Sequence, residues 1–249
     1  FGSAAKFIIN TLMQVKLDSN VYPSGKVTIV EIMGRHAGWL TAAAHVATNE
    51  GIGPELVYIP ENVFDIPDFL NKVEEIYSST HNCLIAVSEG IKDKDGNFIG
   101  AMNSTVDAFG HKQLGGVAMY LGELIKAKLG ISFRAIELST VQRSASMIRS
   151  ETDVNEAITT GKKAVEFALS GEHAKMVGLI REDGPKYKIK YLPVDVYKVA
   201  NKEQVIPLSM IDKENNKMTQ EFYDYIYPLI EGEYKQEYRN GVQKFFLLK

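Results

Sequence analysis

Gly34 and Arg35 follow an almost continuous β-branched run, Val27–Ile32, and precede a small, apolar stretch, so an arginine stands where a strand turns into a helix. Glycine permits a tight turn and close backbone approach there, and a guanidinium at a helix start offers a planar fork suited to phosphate or carboxylate. The rival role for Arg35 is structural, a pairing with Glu31 or Glu61 that ties the elements together. Glu89 closes a second apolar run, "CLIAVSE". A carboxylate in that place either binds a ligand or sits in solvent, as most surface acids do. Arg134 opens a third run and Arg143 follows it within the turn-like "STVQRS". Two arginines bracketing a strand can converge on one phosphate, each charge-assisted bond contributing about 1.5–3 kcal/mol, or can lie apart on solvated faces.

The elements that must position these groups read as an α/β succession. Ser3 is placed to cap a helix whose apolar residues Phe7, Ile8, Leu12, Met13 and Val15 recur near helical spacing. Val27–Ile32 has the pattern of a parallel strand covered on both faces, and the small-residue segment 36–47 after it packs closely on the sheet. Residues 55–60 give a second strand, 65–77 a helix, 83–89 a third strand, 114–129 a helix and 134–138 a further strand. A helix over 155–169, ended by Gly171, follows; then two strands, 175–180 and 187–194, joined by a turn at Asp183 and Gly184, and a late helix at 222–230. Alternating strands and helices argue right-handed parallel units, with ligands collected beyond the carboxyl ends of the strands. Those ends deliver Met33, Gly34, Arg35 and His36; Pro60 and Glu61; Ser88, Glu89 and Gly90.

Composition narrows the function classes. Lys plus Arg number 28 against 31 Asp plus Glu, a net charge of −3, so the chain has no general basic surface for nucleic acid. Cys83 is the single cysteine, which leaves neither a disulfide framework nor a zinc set and fits a reducing cytosol. No apolar run approaches the roughly 20 residues that span a bilayer. "DKDGN" at 93–97 lacks the acidic positions of a calcium loop and reads as a turn. The five histidines have no metal-ligand spacing, with His45 placed on a packed helix; Gly115 and Gly116 read as close packing; and Ser139, Ser144 and Ser146 have no nucleophile-elbow context.

Taken in order, the motifs resemble the second half of the 6-phosphofructokinase family. "VTIVEIMGRHAGWLT" is similar to that family's V-E-V-M-G-R-x-x-G-x-L segment, "YIPE" to the strand end that follows, "VSEG" to its acidic sugar contact, and "RAIELSTVQR" to R-A-x-x-L-G-x-x-Q-R. The similarity runs from Phe1 to about Lys175. It implies a parallel-sheet, three-layer α/β fold, incomplete at its N-terminus, with a sugar-phosphate-binding body over 1–175 and strands and helices over 176–249 that complete or cover it. It further implies that Met33, Gly34 and Arg35 touch the sugar phosphate, that Glu89 hydrogen-bonds sugar hydroxyls, and that Arg134 and Arg143 clasp the 6-phosphate. Lys26 aligns where many ATP-using members place an arginine that reaches a neighbouring subunit's site.

The activity implied is a glycolytic, magnesium-dependent phosphoryl transfer from pyrophosphate, or ATP, to the 1-hydroxyl of fructose 6-phosphate, giving fructose 1,6-bisphosphate. Thr140 in place of a phosphate-binding histidine, Ser144 in place of a glycine, and "DAFGHKQLGG" at 107–116 resemble the pyrophosphate-dependent branch. The family's donor-phosphate loops and its catalytic aspartate lie upstream of the stretch matched by Phe1, so neither a catalytic base nor metal ligands are expected in this chain, and the isolated fragment is expected to be inactive. An ATP-dependent enzyme and a non-catalytic sugar-phosphate-binding fragment are the alternatives. The resemblance also implies a homodimer or homotetramer, and the charge balance, the single cysteine and the short apolar runs point to a cytoplasmic protein with no nucleic-acid or membrane partner.

Overall fold

A computed structural model describes residues 1–22, 24–100, 116–184, 186–214 and 216–245. The segment 107–116 compared with the pyrophosphate branch lies, up to its last residue, outside the described residues. Four parallel strands form the central sheet: β1 (Val27–Ile32), β2 (Leu56–Tyr58), β3 (Cys83–Ser88) and β4 (Phe133–Glu137), in the order β2-β3-β1-β4. Val27 pairs with both Cys83 and Phe133, so β1 lies between two neighbours.

The two faces of β1 and β3 alternate as a period of two demands. Val30, Ile32, Leu84 and Ala86 meet helix α1 (Gly2–Ser19), α2 (Trp39–Ala42), α3 (Ala44–Asn49) and, from the far end of the chain, Phe222 and Ile226. Ile29, Ile85 and Val87 meet Phe69 and Val73 of α4 (Ile66–Thr80) and Leu121 and Ile125 of α5 (Val117–Leu129). Every residue of β1 and β3 is buried, and each large apolar side chain so enclosed contributes about 1.5–3 kcal/mol. Three layers result, helices on both faces of a parallel sheet. Cys83 belongs to this core, where burial pushes its thiol up to about 12 and removes its reactivity at neutral pH.

Several boundaries differ from the sequence expectation, each for a local reason. Ser3 lies inside α1 rather than capping it; its N–H donates to Asp153 Oδ2 at 2.9 Å, so a carboxylate from another helix serves the α1 N-terminus. The small-residue segment forms two short helices, α2 and α3, whose Ala42, Ala43 and Ala44 allow close contact with α1 and the sheet. After the four-residue α6 (Val141–Ser144), helix α7 (Glu151–Leu169) begins four residues earlier than 155, because the Ser150 hydroxyl accepts from Asp153 N.

The C-terminal segment does two different things. Among the described residues, strands β5 (Lys175–Arg181) and β6 (Ile189–Asp195) pair only with each other, outside the main sheet. After the short α8 (Val196–Val199), Ile206, Met210, Ile211 and Met218 join α9 (Gln220–Ile230) in closing the α1 face of the sheet. Helix α7 buries none of its residues, and Leu169 at its end is 84% exposed.

His45 sits in α3 within the core, and burial, reinforced by Lys217, lowers its pKa to about 4. The folded chain therefore binds fewer protons than the unfolded chain between about pH 4 and 6.5, so stability falls as pH drops through that window. The maximum slope from one such group is about 1.4 kcal/mol per pH unit. Urea denaturation at stepped pH checks this: His45→Gln is expected to flatten the dependence in that window.

Candidate functional site

The loop leaving β1 is held by side chains from three other elements. Met33 N donates to Gln142 Oε1 of α6 at 3.2 Å, and Gly34 N donates to Glu89 Oε1 at 3.2 Å. Ser88 Oγ donates to Gly34 O, and Gly38 N donates to Glu61 Oε1 at 2.9 Å. Glu89 N donates to Ile32 O, carrying the β1–β3 pairing one step beyond the strands. Gly34 has φ +156°, and a Cβ there would lie 2.8 Å from Ala37 O and 2.9 Å from Ser88 Oγ, so the turn admits no side chain.

Such bonds also engage two acids near Arg35 in sequence or space. The carboxylate of Glu61 accepts from Gly38 N and from Ile206 N, and that of Glu31 accepts from Ala118 N at 2.9 Å in the first turn of α5. Burial pushes the Glu31 carboxyl above the ordinary carboxylate range, against the opposing bond from Ala118 and with help from Glu137 and Glu89. Both acids that could have paired with Arg35 instead satisfy backbone amides, and Arg35 has no hydrogen-bond or ion-pair partner among the described residues. Arg143, exposed on α6 beyond the end of β4, is also without a partner among the described residues. Two guanidinium-bearing residues with no partner among the described residues and one anchored carboxylate thus stand at one end of the sheet, an arrangement able to hold a polyhydroxyl compound carrying a phosphate.

Lys26 and Arg134 lie at the other end. Lys26 immediately precedes β1, and Arg134 pairs in register with Thr28 near the start of β4. With Asp18, Tyr22 and Asn82 they line a cavity of about 300 Å³, and Arg134 Nη1 donates to Asp18 Oδ2 at 3.4 Å. At about 3.3 Å per strand residue, the path from Arg134 to the turn before α6 is roughly 16 Å. Within one chain, then, Arg134 and Arg143 start from opposite ends of β4, Arg134 beside Asp18 and Arg143 on α6 past the carboxyl end. A parallel strand sends its two ends to opposite edges of the sheet.

Sequence reasoning passed over Gln142 as a contributor, and it placed Ser88 and Gly90 at the strand end without giving either a contact to make. Gln142 lay in the quoted "STVQR", but that it is 1% exposed depends on α6 packing against α1 and bonding Met33 N beyond β1. Gly90 presses against the Arg35 backbone, a contact between segments more than fifty residues apart. Among the described residues no group of three or more His, Cys, Asp or Glu is placed to hold a metal ion. None of their helices is long and apolar enough to cross a membrane.

The family model for phosphofructokinase matches residues 1–168. The chain belongs to the phosphofructokinase family. Among its relatives, pyrophosphate–fructose 6-phosphate 1-phosphotransferase of Halomonas elongata is 40% identical over 247 residues, covering 98% of this chain and 59% of that protein. The enzyme of that name from Xanthomonas campestris pv. campestris is 38% identical over 253 residues, covering all of this chain and 60% of that protein. The solved pyrophosphate-dependent phosphofructokinase from Nitrosospira multiformis aligns with a TM-score of 0.81 at 32% identity, covering the whole of this chain and 62% of that one. The parallel α/β architecture is thus that of phosphofructokinases, and the chain spans about 60% of the length of the curated relatives it matches.

Proposed function

We propose that this chain carries the acceptor side of a pyrophosphate-dependent phosphofructokinase, which transfers a phosphoryl group to the 1-hydroxyl of fructose 6-phosphate and gives fructose 1,6-bisphosphate. The observation that carries the reading is the carboxyl end of the sheet, where Arg35 and Arg143 have no partners among the described residues and Glu89 is anchored to Gly34 N. Arg35 and Arg143 neutralise and orient the 6-phosphate; Glu89, with one oxygen on Gly34 N, offers the other to sugar hydroxyls; Met33 and Gly34 form the wall against which the sugar lies. Positioning of the acceptor in this way contributes to phosphoryl transfer by fixing the hydroxyl in line with the donor.

Pyrophosphate is favoured over ATP as donor by the relatives' names and by Thr140 and Ser144 at the positions that depart from ATP-using enzymes. Lys26 and Arg134, at the opposite end of the sheet, serve the site of a second copy in a dimer or tetramer. Magnesium accompanies pyrophosphate in the whole enzyme, and the residues of this chain act on the sugar phosphate and not on the metal. The two-part organisation, a binding body over 1–175 and a covering segment over 176–249, belongs to the same proposal, as does a cytoplasmic location with no nucleic-acid or membrane partner.

Calorimetry of the 249-residue chain with fructose 6-phosphate and with fructose, beside an assay with pyrophosphate or ATP and magnesium, tests the reading. Binding that requires the phosphate, without turnover by the isolated chain, is expected. Absence of heat with fructose 6-phosphate refutes it.

A further inference from the structure

We propose that Gln142 is a positioning residue that sets the placement of Arg143 relative to Arg35, by holding Ser139 in a left-handed turn and binding that turn to the β1 loop. The inference rests on the sugar-phosphate reading for its functional meaning, and on geometry for its physical content.

Gln142 lies between exposed Val141 and exposed Arg143, yet its own side chain is fully enclosed. Its amide is used at both ends. Oε1 accepts from Met33 N at 3.2 Å, two residues before Arg35, and Nε2 donates to Ser139 O at 2.8 Å, four residues before Arg143. Only a primary amide of this length supplies an acceptor and a donor on one rigid plane; glutamate lacks the donor and methionine lacks both.

Ser139 has φ +44°, a left-handed conformation that costs an L-residue about 1–2 kcal/mol. The family segment that resembles this stretch has glycine at that position, where the conformation is free of strain. Here the turn must be held by something else. Helix α6 is four residues long and has no capping side chain, so it has little stability of its own. Leu138 N donates to Glu31 O and fixes the entry to the turn. Beyond that point, among the described residues, the Gln142 amide joins the strained residue and α6 to the loop that leaves β1. Without it, Ser139 relaxes toward negative φ and α6 swings, taking Arg143 away from Arg35.

Because the strain belongs to serine and not to glycine, the device predicts a specific rescue. Gln142→Met is expected to weaken fructose 6-phosphate binding about tenfold, the loss of one hydrogen bond of ordinary net strength, and to speed hydrogen exchange at the Met33 amide. Ser139→Gly added to Gln142→Met is expected to recover at least half of that loss on a logarithmic scale, because glycine holds the turn unaided. Ser139→Gly alone is expected to raise the melting temperature. Gln142→Glu, which keeps the acceptor for Met33 N and loses the donor to Ser139, is expected to leave Met33 exchange near wild type and to show the same rescue; it also provides the comparison should the methionine variant not fold. Wild-type affinity in both Gln142 variants overturns the proposal, as does a loss that Ser139→Gly leaves untouched. Should wild type itself not bind fructose 6-phosphate, the functional reading fails, while Met33 exchange and the stability of the double variant still decide the clamp.

Discussion

Gly90→Ala is expected to destabilise the chain by about 3 kcal/mol or more and to abolish sugar-phosphate binding at millimolar ligand. A Cβ at position 90 would lie 1.9 Å from Arg35 O, 2.4 Å from its carbonyl carbon and 2.6 Å from its Cα. These are backbone atoms, so no side-chain rotation relieves the overlap; the β3 end and the 33–36 loop must separate. Overpacking of a rigid site typically costs about 1–3 kcal/mol, and the bond from Gly34 N to Glu89, next to the substituted residue, is lost with it. Arg35 and Glu89 would move apart in the same step. Urea denaturation and calorimetry of the two proteins side by side measure both effects, and an unchanged midpoint with unchanged affinity would contradict the close approach on which the site is built.

The second large effect distinguishes two arginines that the sequence alone does not. Arg143→Ala is expected to weaken fructose 6-phosphate binding by about 10- to 100-fold, the equivalent of one or two charge-assisted hydrogen bonds. Its melting temperature should stay within a degree of wild type, since the side chain is exposed and has no partner among the described residues to lose. Arg134→Ala is expected to leave binding by a monomer unchanged, because its side chain faces the amino end of the sheet beside Asp18. The exposed pair with Asp18 contributes little to stability. Calorimetry at protein concentrations below and above self-association, established by sedimentation, separates the cases. Equal losses for both variants in the monomer would place Arg134 in its own chain's site and overturn the assignment to a second copy.

The same contrast explains which parts of the site were legible in advance. The candidates at the carboxyl end, Met33, Gly34, Arg35 and Glu89, were recognisable because a β-branched run followed by glycine and a charged residue marks a strand end, and strand ends of parallel sheets share one edge. Gln142 was visible only as a letter in a motif. Its burial follows from α6 packing on α1 and bonding the loop that leaves β1, which no local spacing encodes. Ser139 likewise gave no warning of its left-handed φ beyond standing where the family segment has glycine.

By itself the sequence determined the succession of the main strands and helices, the two-sided burial of β1, and the family, because apolar periodicity, β-branching and short motifs are properties of contiguous residues. Only the tertiary structure decided that Glu31 and Glu61 satisfy backbone amides and leave Arg35 without a partner among the described residues, that Gln142 joins α6 to the loop after β1, and that Arg134 and Arg143 stand at opposite ends of β4. Each of those depends on register and on contacts between segments tens of residues apart. Hydrogen-bond partners and the direction of a strand end are set when the layers pack, and a linear pattern of residue types carries neither.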